Sequence, residues 1–512
     1  MAADALGDGS KEVELKLEFD PADAGRIEAH PAFAASPPEN QALISIYYDT
    51  GDGALRRAGV YLRVRDNGTR YVQTIKAAKS DAELLERYEW EREVPGREPD
   101  LDAAEGTALA PLLTPEVRES LRPLFVSRIR RTTHRLEQDG SEIEIAIDEG
   151  EIVSSARHCA VSEVELELKR GETAALFRLA RILAETLPLR LAVKTKAERG
   201  FELLEDGAQP VERAAPVDIP PEMPSADAFR AIARNCLRQI IANEPAMCAG
   251  NAEALHQMRI GLRRLRAAIS LFADMVADAE LPRIKAELQW ITKELGPARD
   301  LDVFAQEVLN PLQEAHPEDG GVAETQRNFE GRRAAAYAQA AGSVRSDRFR
   351  AALLDLAEWI EIGPWTREVD TEHVDTEHEA WRSRPVAEHA RKELRRLRKR
   401  IRSQGSDLDE LSVGQLHRLR ISAKRLRYAT EFFAAAFPGA KAAKRWEKSL
   451  AALKDLQDAL GSLNDLAMRQ TLIGEETAGH ALGDYQANVD RLLASAEKAY
   501  KKFARTKAFW KA

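Results

Sequence analysis

Glu163-Val164-Glu165-Leu166-Glu167-Leu168-Lys169 alternates charged and apolar residues without a break. Successive side chains of a β-strand point to opposite faces, so this stretch puts its charges on one face and its aliphatic groups on the other. Glu12-Val13-Glu14-Leu15-Lys16-Leu17, Leu62-Arg63-Val64-Arg65, Glu89-Trp90-Glu91 and Glu142-Ile143-Glu144-Ile145 repeat the pattern. Thr74-Ile75-Lys76, Arg128-Ile129-Arg130 and Lys194-Thr195-Lys196 extend it. One such strand needs only a buried face and a solvated face. Roughly eight of them, some all-acidic and some all-basic on the charged face, ask for more. Like charges directly opposed across a sheet repel. A closed barrel with charges inside would gather both signs in one lumen. The apolar outer faces then need cover from helices, such as the amphipathic runs near residues 22–29 and 173–187.

The chain has 512 residues, of which 44% are hydrophobic, a globular composition with enough length for more than one core. Lys and Arg number 75 against 84 Asp and Glu, a net charge of −9 that disfavours an indiscriminate nucleic-acid binder. No apolar run approaches the ~18 residues of a membrane span, and the first residues lack a signal-peptide pattern. Cys159, Cys236 and Cys248 show no CxxC spacing, which points to a reducing cytoplasm and no zinc site.

The period changes at a proline-rich stretch, Pro210 to Pro224, which reads as an extended linker. Three segments follow: strand-rich residues 8–204, a linker at 205–224, and helix-rich residues 225–508. The expected class is α+β, an eight-stranded antiparallel β tunnel followed by an all-α region. The helical part repeats itself. His256, Arg259, Arg263 and Arg266 match His417, Arg420, Lys424 and Arg427, and Leu295-Gly296 with Asp300 matches Leu460-Gly461 with Asp465. Two matched pairs in the same order imply two pseudo-symmetric helical bundles. At about 100° per residue each basic set forms one stripe, opposite Met258, Leu262, Leu265 and Ile269 or Leu419 and Leu426. His389, Lys392, Arg396 and Lys399 share the spacing. A like-charge ladder without acids is destabilising unless an anion neutralises it. Aromatic residues beside the stripes are scarce, so polyphosphate fits better than a stacked nucleic acid. The histidines that open the stripes read as anion contacts. The tandem Val369–His373 and Val374–His378 reads as a local duplication.

In the strand half, carboxylates two residues apart on one strand can share a hard divalent cation. Glu12/Glu14 and Glu163/Glu165 are such pairs, and Arg63/Arg65, Arg128/Arg130 and Lys194/Lys196 supply cations for phosphates. Together they fit metal-assisted phosphoryl transfer to water.

Glu12-Val13-Glu14-Leu15-Lys16 resembles the ExExK signature of CYTH domains, the triphosphate tunnel metalloenzymes. The resemblance continues through Tyr61–Arg65, Ile147–Gly150, Glu163–Leu168 and Lys196–Phe201, and the helical half is similar to a CHAD domain. The resemblance implies an eight-stranded tunnel that binds triphosphate with Mg²⁺ or Mn²⁺. It implies Glu12, Glu14, Glu163 and Glu165 as metal ligands, with Glu91 at a second ion. Lys16, Arg63, Arg65, Lys76, Arg128, Arg130 and Lys194 would hold phosphates, and Lys196 would help activate water. The implied activity is inorganic triphosphatase, cleaving tripolyphosphate to pyrophosphate and phosphate, with polyphosphate bound by the helical domain and an association with polyphosphate granules. A thiamine or nucleoside triphosphatase, an adenylyl cyclase and a non-catalytic polyphosphate scaffold are the rival readings. A base-specific enzyme would need an aromatic clamp, for which Tyr47, Tyr48 and Trp90 are the candidates.

Overall fold

The described residues form nine antiparallel strands: β1 (Ser10–Glu18), β2 (Glu39–Asp49), β3 (Val60–Asp66), β4 (Tyr71–Ala77), β5 (Glu86–Val94), β6 (Arg122–Gln138), β7 (Ser141–Ser154), β8 (Arg157–Arg170) and β9 (Arg190–Leu191). Seven of the eight alternating stretches lie in β1 and β3–β8, whereas Lys194-Thr195-Lys196 forms no strand and leads into the helix Lys196–Glu202. The computed structural model describes residues 10–77, 85–155, 157–205, 210–315, 317–318, 320–366, 376–406, 408–473 and 478–511. The strands form one sheet in the order β5-β4-β3-β2-β6-β7-β8-β1-β9. β1 pairs with β8 through Glu14–Glu18 and with β5 through Ser10–Val13, so the eight long strands meet end to end on β1. The strand beyond the expected eight is the two-residue β9 beside Leu17 and Glu18.

Two kinds of cover lie on the outer face. The helix Ala174–Ala184 buries Leu176, Phe177, Leu179 and Leu183 and packs on β1, β7 and β8. Over β2–β5, the outward Tyr48, Leu62, Val64 and Ile75 are covered by residues between Leu101 and Leu121. This cover is made of short turns and one six-residue helix, which carry no long amphipathic period for a sequence reading to find.

One end of the inner face is apolar. Leu43, Tyr47, Phe125, Ile129, Ile152 and Val161 meet Ala197 and Phe201 of the helix Lys196–Glu202. Phe125 stacks on Tyr47 with centroids 4.6 Å apart and meets Phe201 edge-on at 5.2 Å. Thr195 and Glu198 close a capping box at the start of that helix, which fixes where Lys196 begins. The helix is a plug, and it fits because residue 200 is glycine: a Cβ there would lie 2.1 Å from the Phe125 ring.

The described chain divides into two compact units. The first joins residues 1–214, 234–262 and 278–367, the sheet together with most of the first repeat copy. The second joins residues 215–233, 263–277 and 368–512 and holds the second copy. In the first, Gly296 faces Arg259 of the helix Ala252–Leu271, and a Cβ there would sit 3.6 Å from Arg259 Nη1. In the second, Gly461 faces Arg420 of the helix Val413–Phe432 in the same way, at 3.7 Å from Nη2. The apolar faces opposite the stripes, Met258, Leu262, Leu265, Leu419 and Leu426, are buried. Residues 369–375 of the tandem duplication, and the side chains of Asn464, Asp465 and Leu466, lie outside the described residues. No helix among the described residues is long and apolar enough to cross a membrane.

Gly200→Ala should lower stability by about 1–3 kcal/mol, because the plug must lift off Phe125 to admit a methyl group. The check is a shift of the urea midpoint at unchanged slope, and an unshifted midpoint would contradict this seating.

A charge-lined cavity as candidate active site

The polar remainder of the inner face encloses a cavity of about 280 Å³. Glu12 and Glu14 of β1 and Glu165 and Glu167 of β8 give it acids, and Arg63 and Arg65 of β3 and Lys76 of β4 give it bases. The β1–β8 register sets Lys16 opposite Glu165 and Glu14 opposite Glu167. Lys16 Nζ bridges Glu165 at 2.7 Å and Glu14 at 3.2 Å. Without it, four carboxylates would stand together on these two strands.

Beside the plug lies a tighter cluster. Carboxylate oxygens of Asp148, Glu163 and Glu165 all fall within 4.8 Å of one another. Lys196 Nζ lies 2.7 Å from Asp148, 3.1 Å from Glu165 and in hydrogen bond with Glu163. Arg131 donates to Asp148 at 2.7 and 2.6 Å and to Glu165 at 2.6 Å. Burial disfavours the charge on Lys196, but Asp148, Glu163 and Glu165 outweigh burial and hold the ammonium well above the lysine range. Burial likewise opposes ionisation of Glu165, and Lys16, Lys196 and Arg131 more than reverse it. Lys196 therefore offers a fixed positive charge and no lone pair.

The two cations of β3 are unequally matched. Arg63 lies 3.4 Å from Glu89. Arg65 hydrogen-bonds Ser45 Oγ at 3.3 Å, and among the described residues no ion pair reaches it. Burial, then Arg63 and Arg131, push its guanidinium down to about 10. A cation held this far below its ordinary range is a place where an anion would be stabilised. At Glu12 the imbalance has the other sign. Burial and a hydrogen bond with Glu89 push its carboxyl up to about 7, although Lys76 lies only 2.8 Å away. A hard cation would relieve that crowding, and the all-oxygen donor set suits Mg²⁺ or Mn²⁺ rather than zinc.

Of the residues singled out from sequence, Glu12, Glu14, Lys16, Arg63, Arg65, Lys76, Glu91, Glu165 and Lys196 line the cavity. Glu91 accepts from Thr74 Oγ1 at 2.9 Å. Glu163 is fully buried beneath it, paired with Lys196 and 3.5 Å from Arg199. Lys194 lies off the cavity, 2.6 Å from Glu202. Arg128 and Arg130 require correction: both are exposed on the outer face, Arg128 beside Glu151 and Arg130 against Glu28 and Glu149. The inward positions of β6 are Phe125, Ser127, Ile129 and Arg131. The parity misleads because the inward face is apolar where it meets the plug, while the outward face there is solvated. Arg131 and Asp148 are the functional candidates that the sequence reading missed. Arg131 follows Arg130 directly and breaks the alternation, which is the one local sign of it.

In the first unit, Arg259 Nη1 donates to the Thr292 carbonyl at 3.1 Å. His256 lines a second cavity with Arg299, Asp302 and Arg333. In the second unit, His417 is exposed, and Arg427 meets Glu431 at 3.7 Å one turn on. Arg263 and Arg420 each bury an Nε that has no hydrogen-bond acceptor among the described residues. Arg266 and Arg425 are both exposed, and partial desolvation, then Arg400, Arg396 and Arg266, push the Arg425 guanidinium down. His389 does not extend the pattern: it is buried, stacks on Phe272 at 4.4 Å and bonds the Leu271 carbonyl at 3.1 Å.

The CYTH domain family model matches residues 10–201, and the CHAD domain family model matches residues 231–474. The chain carries a CYTH domain followed by a CHAD domain. A curated protein of Haemophilus influenzae described as an inorganic triphosphatase is 29% identical over 197 residues, which are 38% of this chain and 55% of that protein. The chain thus spans about half the length of the curated relative it matches. Among solved structures, the CHAD domain from the plant Ricinus communis is 28% identical, with a TM-score of 0.45, covering 59% of this chain and 99% of that one. A Hippeastrum protein described as a putative adenylyl cyclase with a dominant triphosphatase activity is 16% identical, with a TM-score of 0.30, covering 37% of this chain and 95% of that one.

The Glu12 carboxyl gives the metal-free CYTH domain a pH signature. Its ordinary value is 4.5 and its folded value about 7, so the fold holds that proton more tightly than the unfolded chain does. The contribution of this one group is therefore fullest below pH 4.5 and is lost as the pH climbs through 7. Glu12→Gln removes that loss. In the presence of chelator its unfolding free energy should match wild type near pH 4.5 and exceed it above pH 7 by on the order of 2–3 kcal/mol. A wild type that stays the more stable at high pH would contradict the assignment.

Proposed function

We propose that the CYTH domain hydrolyses inorganic triphosphate in its cavity with the aid of a divalent cation, and that the CHAD domain binds polyphosphate. The observation that carries the first part is Arg65, a half-buried arginine that lines a cavity rich in both signs of charge, hydrogen-bonds Ser45, and is pushed down by burial and then by Arg63 and Arg131. Water attacks a terminal phosphorus of tripolyphosphate, the phosphoanhydride bond breaks, and pyrophosphate and phosphate leave. Arg63, Arg65 and Lys76 hold phosphate oxygens and neutralise charge as the bond opens. Lys196 stays charged throughout and acts by its field and by orienting Asp148, Glu163 and Glu165.

Glu12, Glu14 and Glu165 face the cavity and would hold the metal, with Asp148 and Glu163 behind them. When bound, the metal supplies Lewis-acid polarisation of phosphoryl oxygens and a more acidic water. The aromatic residues favour an inorganic substrate over a nucleotide or thiamine ester. The ring of Tyr47 is taken by Phe125, and Tyr48 and Trp90 pack in the outer cluster.

Full-length protein with tripolyphosphate and Mg²⁺ should release phosphate faster than it does with ATP or thiamine triphosphate. Glu165→Gln and Arg131→Met should each lower kcat/KM by about 100-fold, and Arg130→Met should stay within about twofold of wild type. Release by Glu165→Gln at the wild-type rate would overturn the site.

For the CHAD domain, the supporting observation is the pair of stripes with buried Nε groups at Arg263 and Arg420. Neutralising Arg259, Arg263, Arg420 and Lys424 together should weaken binding of long-chain polyphosphate by about 100-fold at moderate salt and flatten its salt dependence. An unchanged dissociation constant would remove the helices from that role.

A further inference from the structure

One wall of the cavity does not come from the sheet. Arg238, on the helix Ser225–Ile241 that follows the linker, reaches the cavity lining beside Thr195, Lys196 and Glu198. Its Nη1 donates to the Val193 carbonyl at 2.9 Å, its Nη2 to Glu198 Oε1 at 2.6 Å, and its Nε to Glu212 at 3.3 Å. The other oxygen of Glu198 accepts from the Thr195 amide at 2.7 Å, and the Glu198 amide donates to Thr195 Oγ1 at 3.0 Å. One guanidinium thus grips the turn before Lys196 at Val193 and the capping box after it at Glu198. Asn243 anchors the same region, donating to the Glu212 carbonyl at 2.8 Å and accepting from the Glu212 amide at 3.1 Å. Among the described residues, strand pairing here ends at Leu191 and at the Ala192 amide, which bonds the Lys16 carbonyl, so no ladder bond reaches the 193–198 turn.

We propose that Arg238 is a positioning residue for the cavity: through Val193 and Glu198 it fixes the turn that aims Lys196 at Asp148, Glu163 and Glu165. The helical segment after the linker is then part of the working site rather than an appendage to it. This rests on the hydrolytic reading of the cavity for its kinetic consequence, but not for its structural one. Planarity matters, because two acceptors on opposite sides of the turn need a fork of donors; lysine reaches one of them at a time.

Both consequences are measured in the full-length chain. Arg238→Met and Glu198→Gln should each lower kcat for tripolyphosphate by about tenfold, with KM within about twofold of wild type. Their double variant should be no slower than either single one, because both break the same link. Arg238→Lys should recover part of the loss. A raised KM in Arg238→Met with a silent Glu198→Gln would make Arg238 a direct phosphate ligand and overturn the positioning role. Hydrogen exchange provides the second readout. Amides 195–199 should exchange about tenfold faster in Arg238→Met while β6–β8 keep their protection. Unchanged exchange at these amides overturns the proposal even if every variant folds. A wild type that releases no phosphate would overturn the hydrolytic reading alone, and the exchange result would still decide the role of Arg238.

Discussion

The ammonium of Lys196 among Asp148, Glu163 and Glu165 is the interaction on which the rest of the inner face depends. Three carboxylates brought this close would expel one another or take up protons. Lys196, Lys16 and Arg131 offset them charge for charge, and each of these cations comes from a different element: the plug helix, β1 and β6. The network therefore ties the far side of the barrel to its floor. Removing one member leaves a buried charge without its partner, which is far more costly than never having had the pair. A network of this kind also limits where change is tolerated, since each carboxylate answers to more than one cation.

Much of this was legible in the sequence, because strands with one charged face announce themselves by a period of two. The two-sided pattern gave the sheet, the inward carboxylates of β1 and β8 and the inward cations of β3 and β4. It failed on β6, where Phe125 and Ile129 point inward against the plug and Arg128 and Arg130 point out. Alternation states that two faces differ; it does not state which face is inside. Asp148 and Arg131 were missed for a related reason. Asp148 follows Ile147 in a strand whose charged alternation is carried by Glu142 and Glu144, and Arg131 sits next to Arg130, which keeps the alternation. Arg238 carries no local sign of its role, since its partners lie 26 to 45 residues away in sequence, Glu212 within the linker and Val193 and Glu198 beyond it.

The helical half was legible at the level of its repeat. Gly296 beside Arg259 and Gly461 beside Arg420 show the two motifs meeting in the same way in each copy. The histidine pattern was less dependable. His389 has the spacing of the stripe histidines but is a core residue, and burial pushes its imidazole down to about 4. Spacing on a helix selects a face, and neighbouring helices then decide whether that face meets solvent.

The plug of Tyr47, Phe125 and Phe201 has a topological consequence. A linear ligand drawn into the cavity cannot pass out through that floor; it enters tip first and must back out. The site is a socket and not a conduit. Under the proposed hydrolysis, what it samples in a mixture of phosphate chains is the concentration of free tips, which falls as chains lengthen at constant total phosphate, and a ring of phosphates presents no tip to it.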